Sequence, residues 1–225
     1  MKGPSKYHDV ELVRRRVALG EHRDVIGGLW EELGELQKQF LIKDGLKPHH
    51  RVLDVGCGSL RAGVRLAPWL EPGRYFGIDL RAELLDAGYD AEIAPQPWSD
   101  RLPRSNLHAT EAFDATGFGV LFDVGLAQSV FTHLPAGELK KSLVALAPVF
   151  KPGAKYYITY FERPDGANEQ PFRHASGIDT FSDRDPFDMS RADLQASVTP
   201  DWRLEIIGDW GHPRGQSMAR FIRRG

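Results

Sequence analysis

Apolar positions recur at helical spacing near the N-terminus and then give way to short, dense apolar runs. From Val10 to about Lys43 the chain is charged, and Leu29, Leu33, Leu36 and Phe40 form the clearest stripe, three or four residues apart as on one helix face. Two helices are predicted here, broken near Gly27-Gly28. That break is either an ordinary turn or a hinge that lets the first helix close over a bound ligand. From Pro48 to Glu162 apolar runs suited to strands alternate with helical patterns, which predicts a mostly parallel sheet with helices on both faces. A ligand would then sit at the carboxyl ends of the strands.

Residues 163–189 are polar and carry Pro164, Gly166, Pro171, Gly177 and Pro186, yet they also hold Phe172, His174, Phe181 and Phe187. A loop this long in a compact domain is usually functional or disordered, and the interspersed aromatics favour an ordered cover over the substrate. Ser190-Arg191-Ala192-Asp193 opens a short helix with an approximate capping box, ending before Pro200. Residues 202–208 and 218–223 read as two final strands around the turn 209–216.

At 225 residues the chain suits one α/β domain (45–225, with the covering loop 163–189 inside it) preceded by a helical N-terminal arm (1–44). The apolar face of the arm serves either the core or a homodimer. The net charge of −2 gives no global attraction for nucleic acid. Neither a long apolar run nor a signal-like N-terminus is present, and the single cysteine excludes an internal disulfide, so a cytoplasmic protein without a membrane partner is expected.

The most informative segment is Val52-Leu53-Asp54-Val55-Gly56-Cys57-Gly58-Ser59-Leu60, a strand running through an acid into a two-glycine turn. A dinucleotide fingerprint places a third glycine where this chain has Arg61, which argues against a nicotinamide dehydrogenase. Asp54 would sit awkwardly beside a pyrophosphate and comfortably beside a cationic ligand. About 20 residues on, Tyr75-Phe76-Gly77-Ile78-Asp79-Leu80 is a second strand ending in an acid, the arrangement that accepts hydrogen bonds from a ribose diol.

Together these segments resemble motifs I and II of the class I S-adenosylmethionine-dependent methyltransferases. Phe122 to Leu134 resembles that family's fourth strand and following helix, and Leu146 to Ile158 its Pro-Gly turn and fifth strand. The resemblance implies a Rossmann-like, seven-stranded, mostly parallel sheet with an antiparallel C-terminal hairpin, helices on both faces and S-adenosylmethionine as cofactor. It places Asp54, Gly56, Cys57 and Gly58 against the methionine and ribose, Asp79 on the ribose hydroxyls and Leu80 against the adenine. Glu111, Ala112 and Phe113 fall near the adenine amino group, and Ala127 and Gln128 beneath the methionine ammonium. Arg61 could grip the methionine carboxylate.

Methyl transfer is a direct displacement, so the protein mainly aligns the reactants, with a base only where the nucleophile must lose a proton. His133, just after the fourth strand, is the first candidate base; a lone histidine is more often simply packed. Asp209, His212 and Arg214, with Trp210 beside them, form a second polar group in which the acid could orient the histidine and the arginine hold an anionic substrate group. His174 is a third, substrate-binding candidate. No histidine has the spacing of a metal site, and no catalytic metal is expected. Residues 127–130 lack the Pro-Pro-aromatic motif of base and amide methylation. The expected reaction is methyl transfer to a hydroxyl of a small molecule such as a sugar or secondary metabolite. The alternatives are a non-catalytic module that binds S-adenosylmethionine or S-adenosylhomocysteine, or an N- or C-methyltransferase.

Overall fold

A computed structural model describes residues 5–167 and 170–225; the first four residues of the arm and residues 168–169 of the segment 163–189 lie outside it. Among the described residues the arm contains three α-helices, α1 (Val10–Ala18), α2 (His22–Val25) and α3 (Trp30–Lys43), one more than the periodicity predicts. The additional break lies at Leu19-Gly20. Gly20 takes φ +74° and lets the Gly20 and Glu21 N–H groups fold back onto the Val17 and Arg16 carbonyls, a left-handed helix end that an isolated glycine does not announce. Gly27 and Gly28 also take positive φ and turn the chain into α3. The α3 stripe serves the core: Leu33 is buried, and Leu36 and Phe40 pack against the buried cluster beneath the sheet.

The alternating region forms β1 (Val52–Val55), α4 (Arg61–Leu66), β2 (Tyr75–Asp79), α5 (Ala82–Gly88), β3 (Leu107–Ala109), β4 (Phe122–Ala127), α6 (Ala136–Leu146) and β5 (Phe150–Glu162). Then come the short strands β6 (Phe172–Arg173), β7 (Asp179–Thr180) and β8 (Asp188–Met189), helix α7 (Arg191–Ser197), and the final hairpin β9 (Trp202–Asp209) and β10 (Ser217–Arg223). The main sheet runs β3-β2-β1-β4-β5-β10-β9. Its first five strands are parallel, and β10 lies antiparallel between β5 and β9. The sheet is therefore the expected one, with β8 added parallel to the end of β5.

Side chains alternate between two apolar layers, as the strand period of two requires. On β5, Tyr156, Ile158 and Tyr160 enter the layer under α6 and α7, while Tyr157 enters the layer under α3 and α4. The Ser190 hydroxyl accepts from Asp193 N–H and the Asp193 carboxylate accepts from Ser190 N–H, which is the capping box that starts α7.

The described residues of the segment 163–189 are held by a buried carboxylate. Asp188 accepts from Arg163 at 2.9 Å and from the Thr180 hydroxyl at 2.7 Å, which fastens β7 and β8 to the end of β5.

The C-terminal end of α3 is tied to the far side of the sheet. Asp44 receives Lys155 Nζ at 2.9 Å and Arg220 Nη1 at 2.6 Å, together with the Tyr157 hydroxyl. Burial works against the ionised form, but the hydrogen bonds from these three groups hold the Asp44 carboxyl below its usual range. Its contribution to stability is therefore present above the carboxylate range and fades as pH falls through it. Asp44→Ala should lower the unfolding free energy by about 1 to 3 kcal/mol at neutral pH, the scale of hydrogen bonds to a charged group. Urea unfolding followed by circular dichroism measures this, and the deficit should shrink in acid.

Candidate functional site

The turn after β1 is shaped by two close approaches. Gly56 and Gly58 take φ +68° and +54°, and a Cβ on them would lie 2.5 Å from Val130 Cγ2 and 2.6 Å from Ile26 Cγ2. Any side chain there would clash and be strained. The space so preserved lets the Gly58 N–H donate to Asp79 Oδ2 at 2.8 Å, while the Arg81 N–H donates to Oδ1 at 2.8 Å. The Asp79 carboxylate is thus held at the carboxyl end of β2 by two backbone donors.

A cavity of about 340 Å³ opens over this end of the sheet, within the range of small-ligand sites. Of the residues singled out in the sequence, Asp54, Gly56, Cys57, Gly58, Arg61, Asp79, Leu80, Glu111, Phe113, Gln128 and His133 line it. Ala112 and Ala127 do not: Ala127 is buried at the end of β4, and Ala112 is exposed beside Thr110. The lining also includes Ser5, Tyr7 and Ile26 from the arm and Gln37 from α3, none of which carries a local signal.

The arm is held over the cavity by charge. Arg61 Nη1 donates to the Gly28 carbonyl at 2.9 Å and Arg214 Nη2 to the Gly27 carbonyl at 2.6 Å. Arg81 donates to the Tyr7 carbonyl at 2.5 Å, Arg14 pairs with Glu83 at 2.7 Å, and Arg23 grips Glu92 through two bonds of 2.7 Å. Arg214 therefore anchors the arm and does not line the cavity.

His133 lines the cavity, and its Nδ1 lies 2.7 Å from Asp185 Oδ1. Asp185 is the contribution of segment 163–189: none of that segment's described residues lines the cavity, but one of its carboxylates holds the histidine that does. Tyr7 meets the His133 ring edge-on at 5.0 Å. Burial first, with the charges of Asp79 and Asp185 adding, pushes the Tyr7 phenol up to about 12, so it stays protonated at neutral pH.

The second polar group is assembled differently from the sequence expectation. Asp209 accepts from the Gly211 N–H at 2.9 Å and does not orient His212. His212 is buried, its Nδ1 accepts from the Arg214 N–H at 3.1 Å, and its Nε2 faces the Gln128 amide at 3.1 Å. Burial, then the charges of Arg214 and Arg61, lowers its pKa to about 4, so the ring is neutral. Trp210 packs against it, ring centroids 5.6 Å apart, and donates to the Gln216 carbonyl. His212 and Trp210 thus support the cavity floor beneath Gln128. His174 lies away from the cavity, bonded to Thr180 at 2.8 Å and packed on Phe161. Among the described residues no group of three or more histidine, cysteine or acidic side chains could hold a metal ion, and no helix is long and apolar enough to cross a membrane.

No family model matches the chain. It is 33% identical over 164 residues to the 2-phytyl-1,4-naphtoquinone methyltransferase of Trichormus variabilis, a match spanning 70% of this chain and 60% of the relative. The corresponding protein of a Nostoc species is 33% identical over 166 residues with the same coverage. Among solved structures, the magnesium protoporphyrin IX methyltransferase of Synechocystis, crystallised with S-adenosylhomocysteine, superposes with a TM-score of 0.63 at 15% identity, covering 95% of this chain and 99% of the other. A glycopeptide N-methyltransferase superposes with a TM-score of 0.58 at 13% identity, covering 84% and 90%. The chain is similar in sequence to these curated methyltransferases and shares the fold of the solved ones. It spans about 60% of the length of these curated relatives.

In this chain the acid of the first glycine-loop strand is buried. Asp54 is 3% exposed and accepts from the Tyr75 hydroxyl at 2.6 Å. Burial outweighs that bond and the Arg61 charge and raises its pKa to about 7. The sign follows from linkage: a carboxyl that holds its proton more tightly when folded favours the folded state in acid, and this contribution is lost as pH rises from about 4 to about 7. Asp54→Asn should remove that component. Thermal unfolding of the ligand-free protein across pH 4 to 8 tests it: the stability difference between variant and parent should move in the variant's favour as pH rises and level off above about 7.

Proposed function

We propose that the chain transfers a methyl group from S-adenosylmethionine to a small-molecule acceptor, with a hydroxyl of a sugar or secondary metabolite as the favoured class. The observation that carries the reading is that one cavity joins the Asp79 carboxylate, fixed by the Gly58 and Arg81 N–H groups, to the His133–Asp185 pair. The cofactor residues and the candidate base face the same space.

The residues present fit the cofactor. Asp79 offers a carboxylate to a ribose diol, and Leu80 and Phe113 offer apolar surface to an adenine ring. Arg61 is 7% exposed, its Nε has no hydrogen-bond partner, and it makes no salt bridge among the described residues. A buried guanidinium in that state suits a ligand carboxylate. When bound, the cofactor supplies an electrophilic methyl group on a sulfonium.

The chain's own part in the reaction is to position groups and move one proton. Asp185 accepting from His133 Nδ1–H leaves the lone pair of the unprotonated ring on Nε2. Nε2 takes the acceptor's proton as the oxygen is methylated. Tyr7, from the arm, lines the cavity beside that ring. His212, buried and neutral, supports Gln128. The curated relatives are named for a 2-phytyl naphthoquinone, a compound with a hydrocarbon tail. The apolar wall formed by Val130, Leu134 and Phe113 supports an acceptor with an apolar body as well as a hydroxyl.

Calorimetric titration should show S-adenosylmethionine and S-adenosylhomocysteine binding and the reduced nicotinamide cofactor not binding. Asp79→Ala should weaken the first two by about 1 to 3 kcal/mol, the scale of lost charged hydrogen bonds; unchanged affinity would remove the ribose role. With an acceptor found by screening, His133→Ala and Asp185→Asn should each lower turnover by about 100-fold, within the range of general-base catalysis, and leave cofactor affinity alone. Binding without turnover for any acceptor would favour the non-catalytic module.

A further inference from the structure

Two histidines of the cavity keep a ring nitrogen unused. His133 lies with Nδ1 2.7 Å from Asp185, and His8, in the arm, lies with Nδ1 3.2 Å from the Ser5 hydroxyl. Neither Nε2 has a hydrogen-bond partner among the described residues. Both side chains line the cavity, and both residues are half-buried. The short turn Lys6–His8 brings them to one end of it. The His8 N–H donates to the Ser5 carbonyl at 3.1 Å, and the neighbouring Tyr7 ring meets His133 edge-on at 5.0 Å.

The rest of this end is apolar or already paired. Val130 and Leu134 form wall, and Glu138 is joined to Lys141 at 2.7 Å. Among the described lining residues Arg61 is the one arginine or lysine, and a cofactor carboxylate uses it. The charged side chains on the histidine side are acids, Asp185 behind His133 and Glu138 in the lining.

The chemistry of the acceptor follows from what is unused. A carboxylate or phosphate group would meet acids and no free cation there, and burying it unpaired is costly. A neutral molecule with one hydroxyl would satisfy His133 and leave His8 Nε2 facing apolar surface. A neutral molecule with two oxygens satisfies both. The Ser5 hydroxyl can donate to His8 Nδ1 or accept from it, so Nε2 presents either an N–H or a lone pair and suits a carbonyl or a second hydroxyl.

We infer that His8 reads the acceptor: the methylated hydroxyl lies at His133, and a second, neutral oxygen of the same molecule lies at His8. The substrate class is then an uncharged compound that bears a hydroxyl and a further hydroxyl or carbonyl on an apolar body. The inference rests on the methyl-transfer reading above and narrows its acceptor.

The isomeric dihydroxynaphthalenes, the naphthols and a hydroxynaphthoate provide the test, supplied to the full chain with S-adenosylmethionine and followed as methyl ethers by mass spectrometry. The best diol should exceed the naphthols in kcat/KM by about tenfold or more, because a site that hydrogen-bonds a substrate oxygen rejects the analogue lacking it. The hydroxynaphthoate should fall below the naphthols. His8→Phe should lower the diol-to-naphthol ratio about tenfold. His8→Gln, which keeps a polar side chain and serves if His8→Phe does not fold, should keep part of that ratio. Equal loss on diol and naphthol, a parent ratio near one, or a hydroxynaphthoate as good as naphthol overturns the inference. So does transfer to none of these compounds by protein that binds S-adenosylmethionine, which leaves the cofactor reading standing. Protein that does not bind S-adenosylmethionine overturns both.

Discussion

The carboxyl end of the sheet depends on backbone coming closer to its neighbours than any side chain allows. At Gly56 and Gly58 the positions a Cβ would fill are taken by Val130 from the segment after β4 and by Ile26 from the arm. Because the turn stays bare, the Gly58 N–H reaches Asp79, the end of β2 is pinned to the end of β1, and the arm can lie directly on the loop. Cavity, arm and strand ends are therefore one arrangement, and a methyl group added at either glycine would be felt in all three.

The electrostatics of the site divide into spent and unspent charge. Glu92, Asp44 and Asp188 are matched by arginines, lysines or hydroxyls and serve the fold. Asp54 and Arg61 are buried without a salt bridge between them among the described residues, and each is moved toward its neutral form: Asp54 rises to about 7 and Arg61 falls to about 10, burial being the largest cause in both. A fold carries such groups at a cost to its own stability, and they concentrate where a ligand is to be held.

Much of this was legible in the chain. Short apolar runs ending in Asp54 and Asp79, the glycine spacing, the Ser190 cap and the final hairpin are local signals, and each marks an element of the observed fold. Residues brought in by tertiary approach were not legible. Asp185 reaches His133 across 52 positions of sequence, and nothing around the dipeptide Asp185-Pro186 marks it as a histidine partner. Gln37 reads as one more polar residue on an amphipathic helix, since periodicity reports which face is buried and not what the buried face meets. Asp209 and His212 show the converse: nearness in sequence suggested a pair, but Gly211 at φ +84° turns the chain between them, and the histidine accepts from the Arg214 N–H instead.

Helix α3 is fastened very differently at its two ends. Its C-terminus is locked to β5 and β10 through Asp44, whereas the turn entering its N-terminus is held by two guanidiniums on the Gly27 and Gly28 carbonyls. Charged bonds to a carboxylate are stronger than those to a neutral carbonyl, so local opening is graded along the helix, easiest at the end nearest the cavity. Amide hydrogens around residues 27–33 would exchange with solvent well before those around residues 40–44. The weaker attachment of α3 thus lies on the side of the cavity.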